Sequence, residues 1–276
     1  MHATTIVASV PIGLLVGSLL TMLIDRVPDD LPVLSRPRCP LCEHPLGASE
    51  LVPLVSWARQ RGRCVHCDEH LTVAYPLVEL LTAVSFALGA ARFSTWWVLV
   101  PYWLFFAMLV TVSTVDVFRY RIPDRVVFPT LALSMIAIVV TSQHLGLPSA
   151  ITRAVIGAVL FSGVLFLLSV MPGGGMGFGD VKLAIVLGLF LGWLPANING
   201  VVVLVFAALM LGSVLGAVMG LVVGFVRVRT KREILPDPDL EQGELLKLPW
   251  TKQPFPFGPS LAVASMASVL LSNHLT

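Results

Sequence analysis

Long apolar runs spaced along nearly the whole chain decide what this sequence can become. They cover residues 6–24, 77–91, 96–115, 126–141, 151–170, 181–194, 201–226 and 259–271. A helix needs about 20 apolar residues to cross the hydrocarbon core, and the shorter runs can be extended by uncharged flanks or tolerated by local thinning. Charged residues make up only 12% of the chain, against about 25% in an ordinary soluble domain. The expected fold is therefore an all-α polytopic membrane protein with about eight transmembrane helices, whose first partner is the lipid bilayer.

The basic residues orient these spans. With the N-terminus outside, the inner loops receive Arg26, Arg36, Arg38, Arg59, Arg61 and Arg63, then Arg119, Arg121 and Arg125, and later the group from Arg227 to Lys252. Only Arg92 and Arg153 of the 18 basic residues fall outside, and the 16 acidic residues lie on the inner side or its boundary. Cytoplasmic loops carry such an excess of Lys and Arg. An odd number of spans would spoil the segregation, so both termini are expected on the outer side. The first span lacks the basic leader and small-residue cleavage site of a signal peptide, and Asp25-Arg26 reads as an interfacial anchor at its inner end. The expected division is a first helix over 1–25, a cytoplasmic cysteine-containing loop domain over 26–75, and a seven-helix membrane domain over 76–276 with an inner loop at about 227–257. The net charge of +2 names no partner, and no nucleic acid is expected.

The loop domain holds every cysteine of the chain, as Cys39-Pro40-Leu41-Cys42 and Cys64-Val65-His66-Cys67. A CxxC turn points two sulfurs at one ion, and two such turns complete a tetrahedron. On the reducing side of the membrane, structural disulfides are disfavoured, and a small loop poor in apolar residues needs a staple to fold. Zinc is the expected ligand, in a structural role because a four-thiolate shell leaves no open position. Redox-labile thiols are the alternative, and His44, His66 and His70 are nearby substitutes as ligands.

Two acids stand out beside the apolar runs. Asp180 ends the glycine-dense stretch at 173–179 and opens a hydrophobic segment, while Asp116 closes the third apolar run. A charge at a helix centre costs about 2.5–3.5 kcal/mol on insertion scales, which makes such residues functional candidates. The topology places both at the same inner face, which is what a pair of acids sharing one proton requires. The ionised member takes a proton from water, and the protonated one polarises a scissile carbonyl. Gly177 and Gly179 leave backbone room for an extended substrate or permit positive φ values. The plainer alternative is that Asp180 caps the next helix. Asp124 reads as an N-cap for the fourth span, and Lys182 either acts on Asp180 or faces the interface. Glu79, among Leu77, Leu80 and Leu81, is a further costly acid in apolar surroundings.

Several blocks together resemble one family. Gly17-Ser18-Leu19-Leu20 with Ile24-Asp25-Arg26-Val27-Pro28, the two cysteine pairs with Arg61-Gly62-Arg63, and Tyr75-Pro76-Leu77-Val78-Glu79 come first. Asp116 with Ile122-Pro123-Asp124, then Gly177-Phe178-Gly179-Asp180-Val181-Lys182-Leu183, then Pro256-Phe257-Gly258-Pro259 follow in order. In this the chain resembles the bacterial type IV prepilin peptidases, a group of GxGD-type membrane aspartic proteases. The resemblance implies removal of a basic leader from prepilins or pseudopilins at the cytoplasmic membrane face, after a glycine and usually before a phenylalanine. It assigns this cleavage to Asp116 and Asp180, with Gly177, Gly179 and Lys182 in the active-site loop. It also implies N-methylation of the new amino terminus with S-adenosylmethionine, associated with the cysteine-containing loop, where Glu50, Gly62 and Glu79 are the candidate residues.

Two positions depart from the family pattern: Thr21 and Leu51 stand where asparagines are common, and both bear on methylation. A presenilin-like protease would share the GxGD chemistry but not the four-cysteine loop. An ion- or proton-coupled transporter using Asp116 and Asp180 as binding groups is the non-enzymatic alternative, although no internal repeat supports it.

Overall fold

The computed structural model describes residues 2–32, 36–39, 41–171, 177–230 and 255–272. The glycine-rich stretch at 173–176 and most of the expected inner loop at about 227–257 lie outside the described residues. Among the described residues the regular structure is helical, with two isolated β-bridges. The helices are α1 (His2–Arg26), α2 (Val55–Arg59), α3 (Ala74–Arg92), α4 (Trp96–Arg119), α5 (Asp124–His144), α6 (Ser149–Val170), α7 (Phe178–Trp193), α8 (Ile198–Thr230) and α9 (Gly258–Leu271), with a 3-10 turn at Ala48–Glu50.

Six of these, α1, α3, α4, α5, α6 and α8, are long and apolar enough to cross a membrane. The expected count of eight is thus reached only with two shorter helices, α7 of 16 residues and α9 of 14. At 1.5 Å per residue, α7 rises about 24 Å, short of the roughly 30 Å hydrocarbon core. The chain folds as two compact units, Met1–Thr114 and Val115–Thr276, with the boundary inside α4.

In the first unit α1 packs on α3. A Cβ on Gly13 would come within 2.6 Å of Ala83 Cα, and one on Gly17 within 2.6 Å of Glu79 Cα. Lipid is as apolar as leucine, so helices in it associate by close van der Waals approach at small residues. Asp25 does more than anchor an interface: Tyr75 Oη donates to its Oδ2 at 2.8 Å and ties the ends of α1 and α3. The α3–α4 pair is joined by Trp103 Nε1 donating to Phe86 O at 3.0 Å, with the two rings stacked at 4.9 Å.

In the second unit α7 is the core. Apart from its first two residues and Lys182 and Ile185, its side chains are buried, from Asp180 to Trp193. It meets α5, α6, α8 and α9. A helix that is hydrophobic all round is covered either by lipid or by other protein, and here protein covers it, which relieves α7 of the need to span lipid alone. Its closest neighbour is α6, met where Gly157 faces Gly188 and Gly192. A Cβ on Gly188 would overlap the Gly157 carbonyl, and one on Gly192 would sit 2.9 Å from Gly157 Cα. Trp193 Nε1 donates to Ser142 Oγ of α5 at 3.0 Å, satisfying two buried polar groups at once.

The close crossing yields a paired test. Gly188→Ala is expected to lower stability by about 1–3 kcal/mol through overpacking. Gly163→Ala, whose Cβ would meet nothing within 4 Å, is expected to stabilise α6 by up to about 1 kcal/mol. Thermal unfolding midpoints of the two variants in detergent should therefore move in opposite directions.

Candidate functional site

Asp116 lies in the last turn of α4 and Asp180 in the first turn of α7, with exposures of 6% and 9%. Both belong to the second unit, and their carboxyl groups are near enough for their charges to interact. A third element reaches the pair. The backbone N–H of Gly258, the first residue of α9, donates to Asp116 Oδ2 at 2.8 Å. A Cβ at position 258 would sit 2.8 Å from that same oxygen. Sequence reasoning placed the Pro256–Pro259 block before the last span without finding this contact; glycine ahead of a helix-starting proline was the available signal.

Of the alternatives open to the GxGD residues, positive φ and side-chain capping are not taken up. Gly177 is the N-cap of α7 in extended conformation, with φ −72 and ψ 146, so no positive φ is used. Gly179 is needed for space, since its Cβ would meet Ile122 Cβ at 3.0 Å. Asp180 does not cap the helix by its side chain; its N–H donates to Gly177 O at 3.1 Å.

Asp124 is likewise not an N-cap. Pro123 occupies that position, and Asp124 begins α5, where its charge suits the helix dipole. Lys182 turns away from a one-to-one pairing with Asp180 and binds Asp124 instead, with Nζ 2.8 and 2.9 Å from the two carboxylate oxygens. It also lies 5.7 Å above the Phe128 ring. The pair is partly exposed, so its direct contribution to stability is small; its effect is to tie α5 to α7. Between Asp116 and Asp124 the chain turns at Tyr120, a non-glycine residue at φ 51. Its N–H donates to Asp116 O at 2.9 Å. Its phenol oxygen accepts from Nη2 of the buried Arg227, also at 2.9 Å.

The first unit carries a different site. The ligand atoms of Cys39, Cys42, Cys64 and Cys67 all lie within 4.8 Å of one another, close enough to hold one metal ion. The two CxxC segments are structural repeats, which sequence reading missed. In each, the first cysteine's N–H donates to the carbonyl five residues on (His44 or Glu69), at 2.9 Å. In each, the residue four on (Glu43 or Asp68) donates back to that cysteine at 3.0 Å. Glu43 and Asp68 have φ of 56 and 57, and the bridges Arg38–Pro45 and Arg63–His70 close the two turns. The backbone N–H of His66 holds the Cys64 thiol down to about 7, towards the thiolate form that metals bind. The His44 and His66 rings lie against each other, tilted by 31°, with centroids 3.6 Å apart.

The three methylation candidates surround this loop. Glu50 Oε2 accepts the Gly47 N–H at 2.7 Å. Glu50 Oε1 is buried without a hydrogen bond, with His66 Nε2 3.4 Å away. Gly62 has φ +70, and a Cβ there would meet the Trp57 ring at 2.9 Å. Glu79, 7% exposed, accepts the Leu54 N–H through Oε2 at 2.7 Å, which docks the loop onto α3 and accounts for an acid in apolar surroundings.

Helices long enough to cross a bilayer, a buried aspartate pair in one unit and a four-thiol cluster in the other define a multi-pass helical membrane protein with an acid–acid centre and a metal-type loop. Residues 12–93 match the bacterial peptidase A24 N-terminal domain, and residues 103–221 match the type IV leader peptidase family. The chain is 31% identical to the prepilin leader peptidase/N-methyltransferase of Stutzerimonas stutzeri, over 98% of this chain and 92% of that protein. The Pseudomonas aeruginosa protein of the same name is 30% identical over 98% and 92%. That of Bacillus subtilis is 29% identical over 95% and 93%. No solved structure matches. The chain belongs to the type IV leader peptidase family.

Purified protein is expected to carry about one tightly held metal ion per chain, and Cys64→Ser to lose most of it, measured by elemental analysis. Because thiolates bind metal and thiols do not, metal content should fall as pH is lowered.

Proposed function

We propose that this chain is an aspartic endopeptidase that removes the basic leader from prepilins or pseudopilins and then methylates the new amino terminus. The observation that carries the proteolytic part is the buried pair Asp116 and Asp180, with the Gly258 N–H fixed on Asp116. The ionised carboxylate takes a proton from water, whose oxygen attacks the scissile carbonyl carbon. The protonated carboxyl donates to the carbonyl oxygen as the tetrahedral intermediate forms. The carbon–nitrogen bond then breaks as a proton passes to the departing amine. Gly177 leaves room beside the acids for extended peptide, Gly179 lets Ile122 pack next to Asp180, and Lys182 with Asp124 holds α5 against α7. The basic residues of the inner loops support a cytoplasmic active site with both termini outside, where a substrate's basic leader would also lie. Family membership favours this reading over an ion-coupled transporter.

The loop over 26–75 is proposed as the methylation domain and the chain over 76–276 as the protease domain. Four thiols within 4.8 Å of one another suit zinc in a structural role. S-adenosylmethionine would supply an electrophilic methyl group for the free amine. The loop fits such a ligand in one respect: Trp57 Nε1 and Glu50 Oε1 are a buried donor and a buried acceptor without hydrogen bonds. The turn bearing Glu50 packs on α2, which bears Trp57. These two side chains would hold the polar edge of the cofactor, with Gly62 leaving space for the Trp57 ring.

Asp116→Asn and Asp180→Asn are each expected to lower kcat for prepilin cleavage by about 10²–10⁴-fold; retained cleavage in either removes that residue from the dyad. Given already cleaved substrate, both variants should still methylate it. Trp57→Phe should leave cleavage intact while weakening methylation, read as loss of the methyl mass increment in the product.

A further inference from the structure

The aspartate pair is held by more than the residues of its own motifs. Arg227, in the last turn of α8, is 1% exposed and is the bulkiest of the fully buried side chains described. A buried guanidinium carries five donors that need partners, so its surroundings are built around it. One of those partners is Tyr120 Oη, at 2.9 Å and 107 residues away in sequence.

Tyr120 is the residue at which the chain leaves α4. It sits at φ 51, a conformation that side-chain-bearing residues adopt only when the surrounding structure over-determines it. Its N–H closes the final turn of α4 onto Asp116 O. Two residues later Ile122 packs against Gly179, one residue before Asp180. The place where the phenol is gripped therefore sets both the end of the helix bearing Asp116 and the approach of that segment to Asp180. The Asp124–Lys182 pair cannot do this alone, being partly exposed and beyond Pro123.

We propose that Arg227 and Tyr120 form a partly buried strut that sets the position of Asp116 relative to Asp180. Both are positioning residues, and neither touches the peptide. The proposal rests on Asp116 being catalytic. A displacement of about 1 Å in a reacting group can cost on the order of 10²-fold in rate, so the strut acts on turnover and leaves substrate binding alone.

The test is steady-state cleavage of a purified prepilin by the full-length protein in detergent. It compares wild type, Tyr120→Phe, Arg227→Gln, Arg227→Lys and the double variant Tyr120→Phe/Arg227→Gln. Each of the first two changes is expected to lower kcat at least about tenfold with KM within about twofold. The double variant should be no worse than the worse single, because both break one strut, and Arg227→Lys should recover part of the loss. Wild-type kcat in Tyr120→Phe, losses that multiply in the double variant, or a loss confined to KM would each overturn the strut. Should Arg227→Gln fail to fold, Tyr120→Phe removes a single oxygen and decides the matter alone. Asp116→Asn is run in parallel. If it cleaves, the catalytic reading falls and the strut with it; if it is inactive while Tyr120→Phe is fully active, only the strut falls.

Discussion

The second unit is organised around a helix that cannot face water and is too short to face lipid across a whole bilayer. α7 has no polar stripe, and α5, α6, α8 and α9 close around it. The small residues of α6 and α7 let their backbones touch, and that contact fixes the depth and rotation of α7. Asp180 opens this helix, so its location is inherited from the packing of everything behind it. A carboxyl group placed this way needs no long side-chain network to hold it still.

Asp116 is located by a different logic. It lies at the end of a long helix, where fraying would be expected. Three contacts oppose that: a main-chain N–H from α9, the Arg227 grip on Tyr120, and the fit of Ile122 against Gly179. All three come from elements remote in sequence. In the first unit the loop is organised locally instead. Two copies of one short turn bring four sulfurs together, and Glu79 fastens the product to α3.

What could be read from the sequence follows the same division. Apolar runs marked every long helix to within a few residues, because hydropathy is a property of the run itself. The four cysteines announced their clustering for a similar reason: a CxxC turn carries its geometry with it. The role of α7 as a wrapped core helix was not legible, since an apolar run looks the same whether lipid or protein covers it. The pairing of Asp124 with Lys182 was not legible because it spans 58 residues. Asp124 also resembled a cap, although Pro123, with its extended backbone, already filled that position. The Gly258 and Arg227 contacts depend on how α8 and α9 return to α4, which no local pattern records.

The bond from Gly258 to Asp116 has an implication for how such a centre can vary. Its donor belongs to the main chain, so every residue but proline keeps it, and the Cβ of any of them would press on the carboxylate it is meant to hold. Position 258 therefore offers no gradation: side-chain chemistry cannot strengthen or weaken the contact by degrees. Adjustment of this part of the centre has to come through the path of the chain entering α9, which couples the acid to the segment that delivers that helix.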